Sequence, residues 1–277
     1  MQLIKKKGVK LAYEEINPAG ETTMLFVHGC GCDHTDFAAQ SEFFRRSHRV
    51  VSVDLRGHGR SDAPDQDYTM AVFADDLAWV CSELGLTKPI VVGHSMGGNV
   101  ALEFAARYPQ IPSSIVVIDS VILPHRSFLD ALQPLAEALR GPDYQAALRH
   151  ALLSMCLPTE DETRKTQLIG SLPKCPQYVL ASAFTNHVMD YDAAAAAAGC
   201  HVPIAYIGSY LGALSSAADL MQFQKLAPQL FLAQTLGSGH FSPVFVPDQI
   251  NSMLSAFAEI YSPASETLVD PSGALLA

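Results

Sequence analysis

The sequence lacks a long apolar run, and its basic residues are comparatively few. No segment approaches the roughly 20 consecutive apolar residues that a bilayer-spanning helix needs, so we expect no transmembrane helix. The 18 Lys and Arg residues are outnumbered by 28 Asp and Glu residues, which leaves a net charge of −10. Nucleic acids are bound mainly through basic side chains that neutralise phosphates, so this balance disfavours nucleic acid as a partner. It disfavours anionic membrane surfaces for the same reason.

The pattern also contains neither a secretory signal nor a disulfide framework. The run Lys5-Lys6-Lys7 is not followed by the apolar stretch of a signal peptide. The six cysteines are scattered over 277 residues, so we expect free thiols and a cytoplasmic location. The pair in Cys30-Gly31-Cys32 has no second pair or histidine cluster at zinc-site spacing, so we expect no metal site.

Two further absences limit the chemistry. The sequence has no glycine fingerprint of a dinucleotide-binding fold, and we expect no cofactor. Residues 123–200 carry no basic cluster that would suit a phosphorylated or CoA-linked substrate. A small molecule is therefore the expected partner, and a homodimer is compatible with the sequence. The hydrophobic content of 49% and charged content of 17% predict a globular protein with a large core.

Short apolar runs alternate with helix-favouring stretches along most of the chain. An N-terminal hairpin is predicted over 2–16, and six further strands are predicted at 24–27, 50–55, 89–92, 115–118, 203–207 and 231–236. Strands that are apolar on both faces and alternate with helices are typical of a mostly parallel sheet covered on both sides. The predicted fold class is therefore α/β.

The alternation of strands and helices stops between residues 123 and 200. Helices are predicted there at 128–139, 144–155, 160–168 and 179–190, and no strand is convincing. We interpret 123–200 as a helical cap inserted into an α/β core formed by 1–122 and 201–262. Residues 263–277 have no periodicity and are predicted to be a loosely held tail.

The stretch Gly93-His94-Ser95-Met96-Gly97 lies between a predicted strand and a predicted helix. Strand, sharp turn and helix are the context of the nucleophile elbow, in which a strained turn lifts a serine hydroxyl clear of the backbone. Ser95 is therefore the candidate nucleophile. A serine hydroxyl needs a base, and His240 lies in a loop directly after a predicted strand.

Four motifs together resemble the α/β-hydrolase superfamily, from about Leu3 to Tyr261. They are His28-Gly29, the stretch 54–62 that reads DLRGHGRSD, the elbow at 93–98, and Gly239-His240-Phe241. The resemblance implies an α/β-hydrolase fold with His240 as the general base of Ser95. Acyl transfer needs donors for the developing oxyanion, and the resemblance implies the backbone N–H groups of Met96 and Cys30.

The acid that would orient His240 has two candidates in the sequence. In most similar proteins it follows the strand at 203–207, but Gly208 to Gly212 contain no carboxylate. Asp119 directly follows the strand after the elbow helix, where some superfamily members carry their acid, and both strand ends lie at one edge of the sheet. We therefore predict Asp119, and Asp219, expected inside a helix, is the alternative.

Side chains of the cap are expected to line the substrate pocket. The candidates for an apolar wall are Phe128, Met155, Phe184 and Met189. His34 and Asp36 follow the Cys30 segment near the same entrance, and we expect them in a solvated loop.

Three functions are compatible with this pattern. The favoured one is a serine hydrolase that cleaves an ester or lactone of a small, fairly apolar substrate, with carbon–carbon bond and amide hydrolysis left open. The second is a cofactor-independent dioxygenase, because some dioxygenases of this fold are similar in placing the acid after the strand that follows the elbow helix. The third is a non-catalytic binding protein, which the retention of Ser95, His240 and an acid disfavours.

Overall fold

The computed structural model of the protein describes residues 1–171, 175–210 and 214–261. An eight-stranded sheet forms its centre. The predicted tail at 263–277, and the last two residues of the stretch 208–212, lie outside the described residues. The strands are β1 (Gln2–Lys6), β2 (Val9–Ile16), β3 (Thr23–Val27), β4 (Arg49–Val53), β5 (Ile90–His94), β6 (Ser114–Ile118), β7 (Ile204–Gly208) and β8 (Leu230–Gln234).

The strand order is β1-β2-β4-β3-β5-β6-β7-β8. β1 and β2 pair antiparallel, as do β2 and β4, and every other neighbouring pair is parallel. The parallel register places Gly93 of β5 beside Val117 of β6, and Val117 beside Tyr206 of β7. The carboxyl ends of β5, β6 and β7 therefore meet at one edge of the sheet, which is where ligands bind in open α/β folds.

Each central strand is a run of five residues that is buried on both faces of the sheet. All residues of β3, β5, β6 and β7 are buried. Successive side chains point to opposite faces of the sheet. Leu25, Val91 and Val117 accordingly belong to one core, and Phe26, Val92 and Val116 belong to the other. The prediction of a mostly parallel sheet with both faces covered is confirmed.

Helices surround the sheet and fill the interval between β6 and β7. A 3₁₀ turn at His34–Phe37 leads into α1 (Ala38–Phe44), and a π-helical turn at Thr185–Met189 follows α7. The remaining helices are α2 (Met70–Leu84), α3 (Met96–Arg107), α4 (Arg126–Ala138), α5 (Tyr144–Ser154), α6 (Glu162–Ser171), α7 (Gln177–Phe184), α8 (Ala193–Gly199), α9 (Ala217–Leu226), α10 (Ser242–Phe245) and α11 (Pro247–Tyr261).

The segment from α4 to the π-helical turn, residues 126–189, is called the helical insert below. α8 lies after this segment and contacts α3. An added Cβ at Gly199 would lie 3.5 Å from the Cβ of Ala106 on α3. α9 starts at Ala217, where Ser216 and Asp219 form a reciprocal capping box, so Asp219 lies in a helix as expected. Within the described residues, no helix has the length and apolar character needed to cross a membrane.

Candidate active site

Ser95 is positioned by a strained turn between β5 and α3. Its backbone has a φ of 55° and a ψ of −123°, and its N–H donates to the carbonyl of Ile118 on β6 at 2.8 Å. A Cβ added at Gly93 would lie 2.0 Å from the carbonyl oxygen of Gly97, and one added at Gly97 would lie 2.2 Å from that of Val27. Only glycine fits at both positions, so these two residues let the turn form and set Ser95 at the start of α3.

Asp119 and His240 are hydrogen-bonded to each other, and His240 lines the same cavity as Ser95. His240 Nδ1 lies 2.7 Å from Asp119 Oδ2, although the two residues are 121 positions apart. Both side chains are buried, with 3% and 0% of their surfaces exposed. Asp119 directly follows β6, as the sequence predicts, and its φ of 43° turns the chain sharply there. An Nδ1–H that donates to this carboxylate leaves His240 Nε2 free to accept a proton.

The Asp119 carboxylate is held by β7 as well as by His240. The Ser209 hydroxyl donates to Oδ2 at 3.0 Å, and the Ser209 N–H lies 3.3 Å from Oδ1. Burial by itself would raise the pKa of Asp119, but the hydrogen bond from His240, the charge of that imidazole and the bonds from Ser209 together lower it. The loop after β7 therefore contributes donors to the Asp119 carboxylate rather than an acid.

Asp219, the alternative acid, lies in the first turn of α9. Its Oδ2 accepts from the N–H of Ser216 at 2.8 Å and from the Ser216 hydroxyl at 2.7 Å. The Nε2 atom of His125 lies 3.8 Å from the same Asp219 oxygen. Asp219 is therefore engaged in capping α9, whereas the carboxylate that binds His240 is that of Asp119.

His94 supports the His240 loop from the strand side. Its ring packs against the His240 ring with centroids 4.6 Å apart, and its Nε2 lies 2.9 Å from the His240 carbonyl oxygen. Burial and then the neighbouring His240 lower the pKa of His94 to about 3. A neutral His94 can donate to that carbonyl without adding a second charge beside the pair of Asp119 and His240.

The helical insert supports the same loop from the opposite side. The N–H of Gly239 donates to Glu160 Oε1 at 2.8 Å, and the N–H of His240 donates to the carbonyl of Met155 at 3.1 Å. A Cβ added at Gly239 would lie 2.4 Å from that same Met155 oxygen. The second Glu160 oxygen accepts from the N–H of Leu157 at 2.7 Å. The loop that carries His240 is thus fixed by two backbone contacts to the insert.

Of the two residues predicted to donate to an oxyanion, Met96 directly follows Ser95 in the chain and Cys30 lines the same cavity as Ser95. Met96 is fully buried at the first position of α3. Gly29 and Cys30 line the cavity described below, and a Cβ added at Gly29 would lie 3.2 Å from the Cβ of Ser95. Burial raises the pKa of the Cys30 thiol to about 12, so the thiol is not ionised near neutral pH.

The expectation of a solvated loop at His34 and Asp36 is wrong. Asp36 is buried, and burial raises its pKa to about 7. His34 is held by Asp54, whose Oδ1 accepts from the His34 N–H at 2.9 Å and lies 2.7 Å from Nδ1. Asp33, His34 and Asp54 have ligand-type atoms within 4.8 Å of one another, as a metal site would need. Because the carboxylate oxygens of Asp54 already accept N–H groups of the protein, we assign this cluster a structural role.

A cavity of about 460 Å³ opens onto Ser95 and His240 beneath the helical insert. Of the four residues predicted to line it, Met155 and Phe184 do so. The residues assigned to its wall in the described part of the chain do not include Phe128 or Met189. Phe128 lies one helical turn before the first lining residue of α4, and Met189 follows the last lining residue of the π-helical turn. The α4 and α5 wall consists of Ala131, Leu132, Pro134, Leu135, Ala138, Ala147, Leu148, His150, Ala151, Leu152 and Ser154.

Two residues at the site were not foreseen. His187 lines the cavity from the π-helical turn, and Glu160 binds the loop that carries His240. The sequence gives no signal for His187, because the predicted α-helix over 179–190 does not indicate a π-turn. Glu160 had no signal, since its partner Gly239 is 79 residues away.

Comparison with known proteins agrees with this fold. The family model described as alpha/beta hydrolase fold matches residues 22–141. The solved structure of a thermophilic esterase from Thermogutta terrifontis superposes with a TM-score of 0.83, covering 95% of this chain and 100% of that one at 22% identity. The chain therefore has the α/β-hydrolase fold, and the match to the family model confirms the resemblance of its motifs to that superfamily.

Two relatives with named activities are similar to this chain in sequence. A bifunctional esterase/perhydrolase of Acinetobacter calcoaceticus is 38% identical over 120 residues, which are 43% of this chain and 44% of that protein. A 2-(acetamidomethylene)succinate hydrolase of Mesorhizobium japonicum is 28% identical over 228 residues, covering 79% of this chain and 81% of that protein. The match to the first relative therefore spans less than half of its length.

Proposed function

We propose that the protein is a serine hydrolase that cleaves an ester or lactone of a small, fairly apolar substrate. Ser95 is the nucleophile, His240 the general base and Asp119 the acid that orients it. The observation that carries the proposal is the buried 2.7 Å contact between His240 Nδ1 and Asp119, at the wall of a cavity that Ser95 also lines.

The proposed reaction follows from which nitrogen of His240 is free. His240 Nε2 takes the proton of the Ser95 hydroxyl as the oxygen attacks the substrate carbonyl carbon. Asp119 stabilises the imidazolium that forms. The backbone N–H groups of Met96 and Cys30 donate to the oxyanion of the tetrahedral intermediate. The imidazolium then protonates the leaving alkoxide, and a water molecule repeats the sequence on the acyl-enzyme to restore Ser95.

The apolar substrate class is supported by the cavity wall. It is built mainly from Leu, Ala, Val, Phe and Met side chains, with a volume of about 460 Å³ that suits a small molecule. The named esterase among the relatives and solved structures supports ester cleavage. All six cysteines are free, which is typical of a reducing compartment, so we place the enzyme in the cytoplasm.

The test is a screen of p-nitrophenyl esters, lactones and amides, combined with a serine-directed fluorophosphonate. We expect ester hydrolysis by the natural chain and one covalent adduct on Ser95, found by peptide mass. Ser95→Ala should keep its fold and lose several orders of magnitude in turnover. Hydrolysis of esters by Ser95→Ala at nearly the unchanged rate would overturn the proposal.

The cofactor-independent dioxygenase remains the second candidate because its acid would occupy the position of Asp119 after β6. In that reaction His240 and Asp119 would act as a base toward an acidic heteroaromatic substrate, and Ser95 would form no acyl-enzyme. Oxygen uptake with such a substrate, without loss of activity in the fluorophosphonate-treated enzyme, would favour it over the hydrolase. Product analysis in the same screen separates ester cleavage from carbon–carbon or amide cleavage.

A further inference from the structure

His187 reaches the cavity because the helical insert changes its winding there. The π-helical turn Thr185–Met189 continues α7, and π-turns inside helices occur often at functional sites. His187 is 4% exposed and lines the same cavity as Ser95 and His240. The mechanism proposed above gives it no task.

One nitrogen of the His187 imidazole has no hydrogen-bond partner among the described residues. Nε2 is buried, and no group in the described part of the chain forms a hydrogen bond with it. A buried polar atom without a partner costs stability, so such atoms call for an explanation such as a ligand. Burial and then the nearby His240 lower the pKa of His187 to about 3. The imidazole is therefore neutral near pH 7, with one N–H donor and one acceptor nitrogen.

The surroundings of His187 define what could bind to it. No Lys, Arg, Asp or Glu is among the described residues that line the cavity. A carboxylate or ammonium group on the substrate would be buried there without a counter-ion, which is costly. A neutral oxygen is not penalised in this way, because one hydrogen bond from a neutral imidazole satisfies it.

We propose that His187 is a specificity-determining residue that hydrogen-bonds an uncharged oxygen, a hydroxyl or a keto group, in the part of the substrate enclosed by the helical insert. This inference rests on the proposed ester or lactone hydrolysis. It narrows the substrate from a purely apolar ester to one with a single hydrogen-bonding group beyond the scissile bond. A site that hydrogen-bonds a substrate oxygen discriminates strongly against the analogue without it, because the site is then left unpaired.

The experiment compares matched esters that differ only in that oxygen. One arm uses p-nitrophenyl acyl esters with a hydroxyl or keto group at successive carbons, each beside its deoxy analogue of equal length. The other arm uses acetates of alkanols and of the matching diols, so that the arms separate an acyl-side from an alcohol-side oxygen. We expect one position in one arm at which the oxygenated ester has kcat/KM about tenfold or more above its analogue.

Variants of His187 test whether the preference depends on its hydrogen bond. His187→Phe should reduce the kcat/KM ratio at that position to about one, with deoxy esters still cleaved and a melting temperature that is unchanged or higher. His187→Gln keeps a donor and an acceptor and should retain part of the preference, which also covers the case in which the Phe variant folds poorly. His150→Phe is the control, because His150 lines the same cavity but is exposed to water, and it should keep the full ratio.

The outcomes separate this inference from the proposed function. If Ser95 cleaves the esters but shows no preference for an oxygenated ester in either arm, the proposed role of His187 is overturned. The role is also overturned if His187→Phe retains the preference for the oxygenated ester. Absence of hydrolysis of every ester, or of a Ser95 adduct, overturns the proposed function and this inference with it.

Discussion

The backbone N–H of His240 donates a 3.1 Å hydrogen bond to the carbonyl oxygen of Met155, so the candidate base is tied directly to the helical insert. The neighbouring N–H of Gly239 is bound by the Glu160 carboxylate, which also closes its own turn through Leu157. The insert is therefore more than a cover for the cavity. Its segment 155–160 binds the backbone of the loop that carries His240.

This relationship predicts that Glu160 affects turnover without touching the substrate. Glu160→Ala leaves the N–H groups of Gly239 and Leu157 without their acceptor, and we expect a loss of about 2–4 kcal/mol in the free energy of unfolding. The His240 loop should shift, and a displacement of about 1 Å can cost about 100-fold in rate. We expect kcat to fall by about 10- to 100-fold with KM little changed, measured by steady-state kinetics alongside urea unfolding.

Two variants make the effect of Glu160 specific. Glu160→Gln keeps an acceptor oxygen for Gly239 and should recover most of the kcat. Glu162→Ala removes a carboxylate two residues away that pairs with Lys165 and not with the His240 loop, so it should leave kcat unchanged whatever it does to stability. Equal kcat for Glu160→Ala and the natural chain would show that the Met155 contact alone holds the loop.

The sequence predicts the part of this site in which each reactive residue follows a strand. Ser95, Asp119 and His240 each come directly after, or shortly after, a run of apolar residues, and the ends of parallel strands share one edge of the sheet. Local patterns therefore predict Ser95 and Asp119 as neighbours, and the 2.7 Å contact of Asp119 with His240 follows from that topology. The glycines around Ser95 are equally readable because a Cβ at Gly93 or Gly97 would clash with the backbone.

The remaining parts of the site depend on packing between segments far apart in sequence. The π-turn that brings His187 to the cavity has the same apolar periodicity as an α-helix, so no local pattern reveals it. The loop at 33–36 contains polar residues typical of a solvated turn, yet Asp33 and Asp36 are buried and Asp54 binds the backbone and ring of His34. Phe128 has the right spacing for the wall formed by α4, but the cavity begins one turn later.

Asp54 gives a prediction for the dependence of stability on pH. Burial would raise its pKa, but the hydrogen bonds from His34 and the other partners, including the N–H of Arg60, lower it to about 2. Because the folded pKa lies below the unfolded value, the stabilisation is complete above about pH 5 and is lost as pH falls toward 2. The full contribution is about 2 kcal/mol, of which about half is lost by pH 3.

The measurement is urea unfolding of the natural chain and Asp54→Asn between pH 6 and pH 3. The difference in free energy of unfolding between the two should shrink by about 1 kcal/mol over this range, since the Asn variant has no carboxylate to protonate. A difference that stays constant for Asp54→Asn would show that its carboxylate has an ordinary pKa.

The cavity wall predicts how acyl chain length is selected. Met155→Ala and Phe184→Ala enlarge the cavity that Ser95 faces, and Met155→Ala keeps the backbone carbonyl that binds His240. We expect each change to raise kcat/KM for longer p-nitrophenyl esters relative to acetate by about tenfold, because one or two methylene groups in an apolar pocket contribute this much. Phe128→Ala and Met189→Ala, outside the wall, should leave that ratio unchanged. A uniform fall for all chain lengths would mean that Met155 and Phe184 only hold the insert together.

The assignment of Asp119 over Asp219 gives the largest expected effect. Asp119→Asn preserves the shape of the side chain, but it removes the charge that stabilises a protonated His240 and it no longer selects the Nδ1–H tautomer. In a related triad the same change costs about four powers of ten in kcat, and we expect a loss of that order here. Stopped-flow release of p-nitrophenol from single turnovers would measure the chemical step directly.

Asp219→Asn is the matched control, because it makes the same substitution in a carboxylate that caps α9 through Ser216. The amide oxygen can still accept one of those two hydrogen bonds, so we expect a small loss of stability and an unchanged rate of p-nitrophenol release. The expected losses of the two variants are exchanged if Asp219, and not Asp119, is the acid. If Asp219→Asn lost four powers of ten and Asp119→Asn did not, the acid would follow β7 as in most similar proteins. The 2.7 Å contact between Asp119 and His240 would then be a packing interaction without a catalytic role.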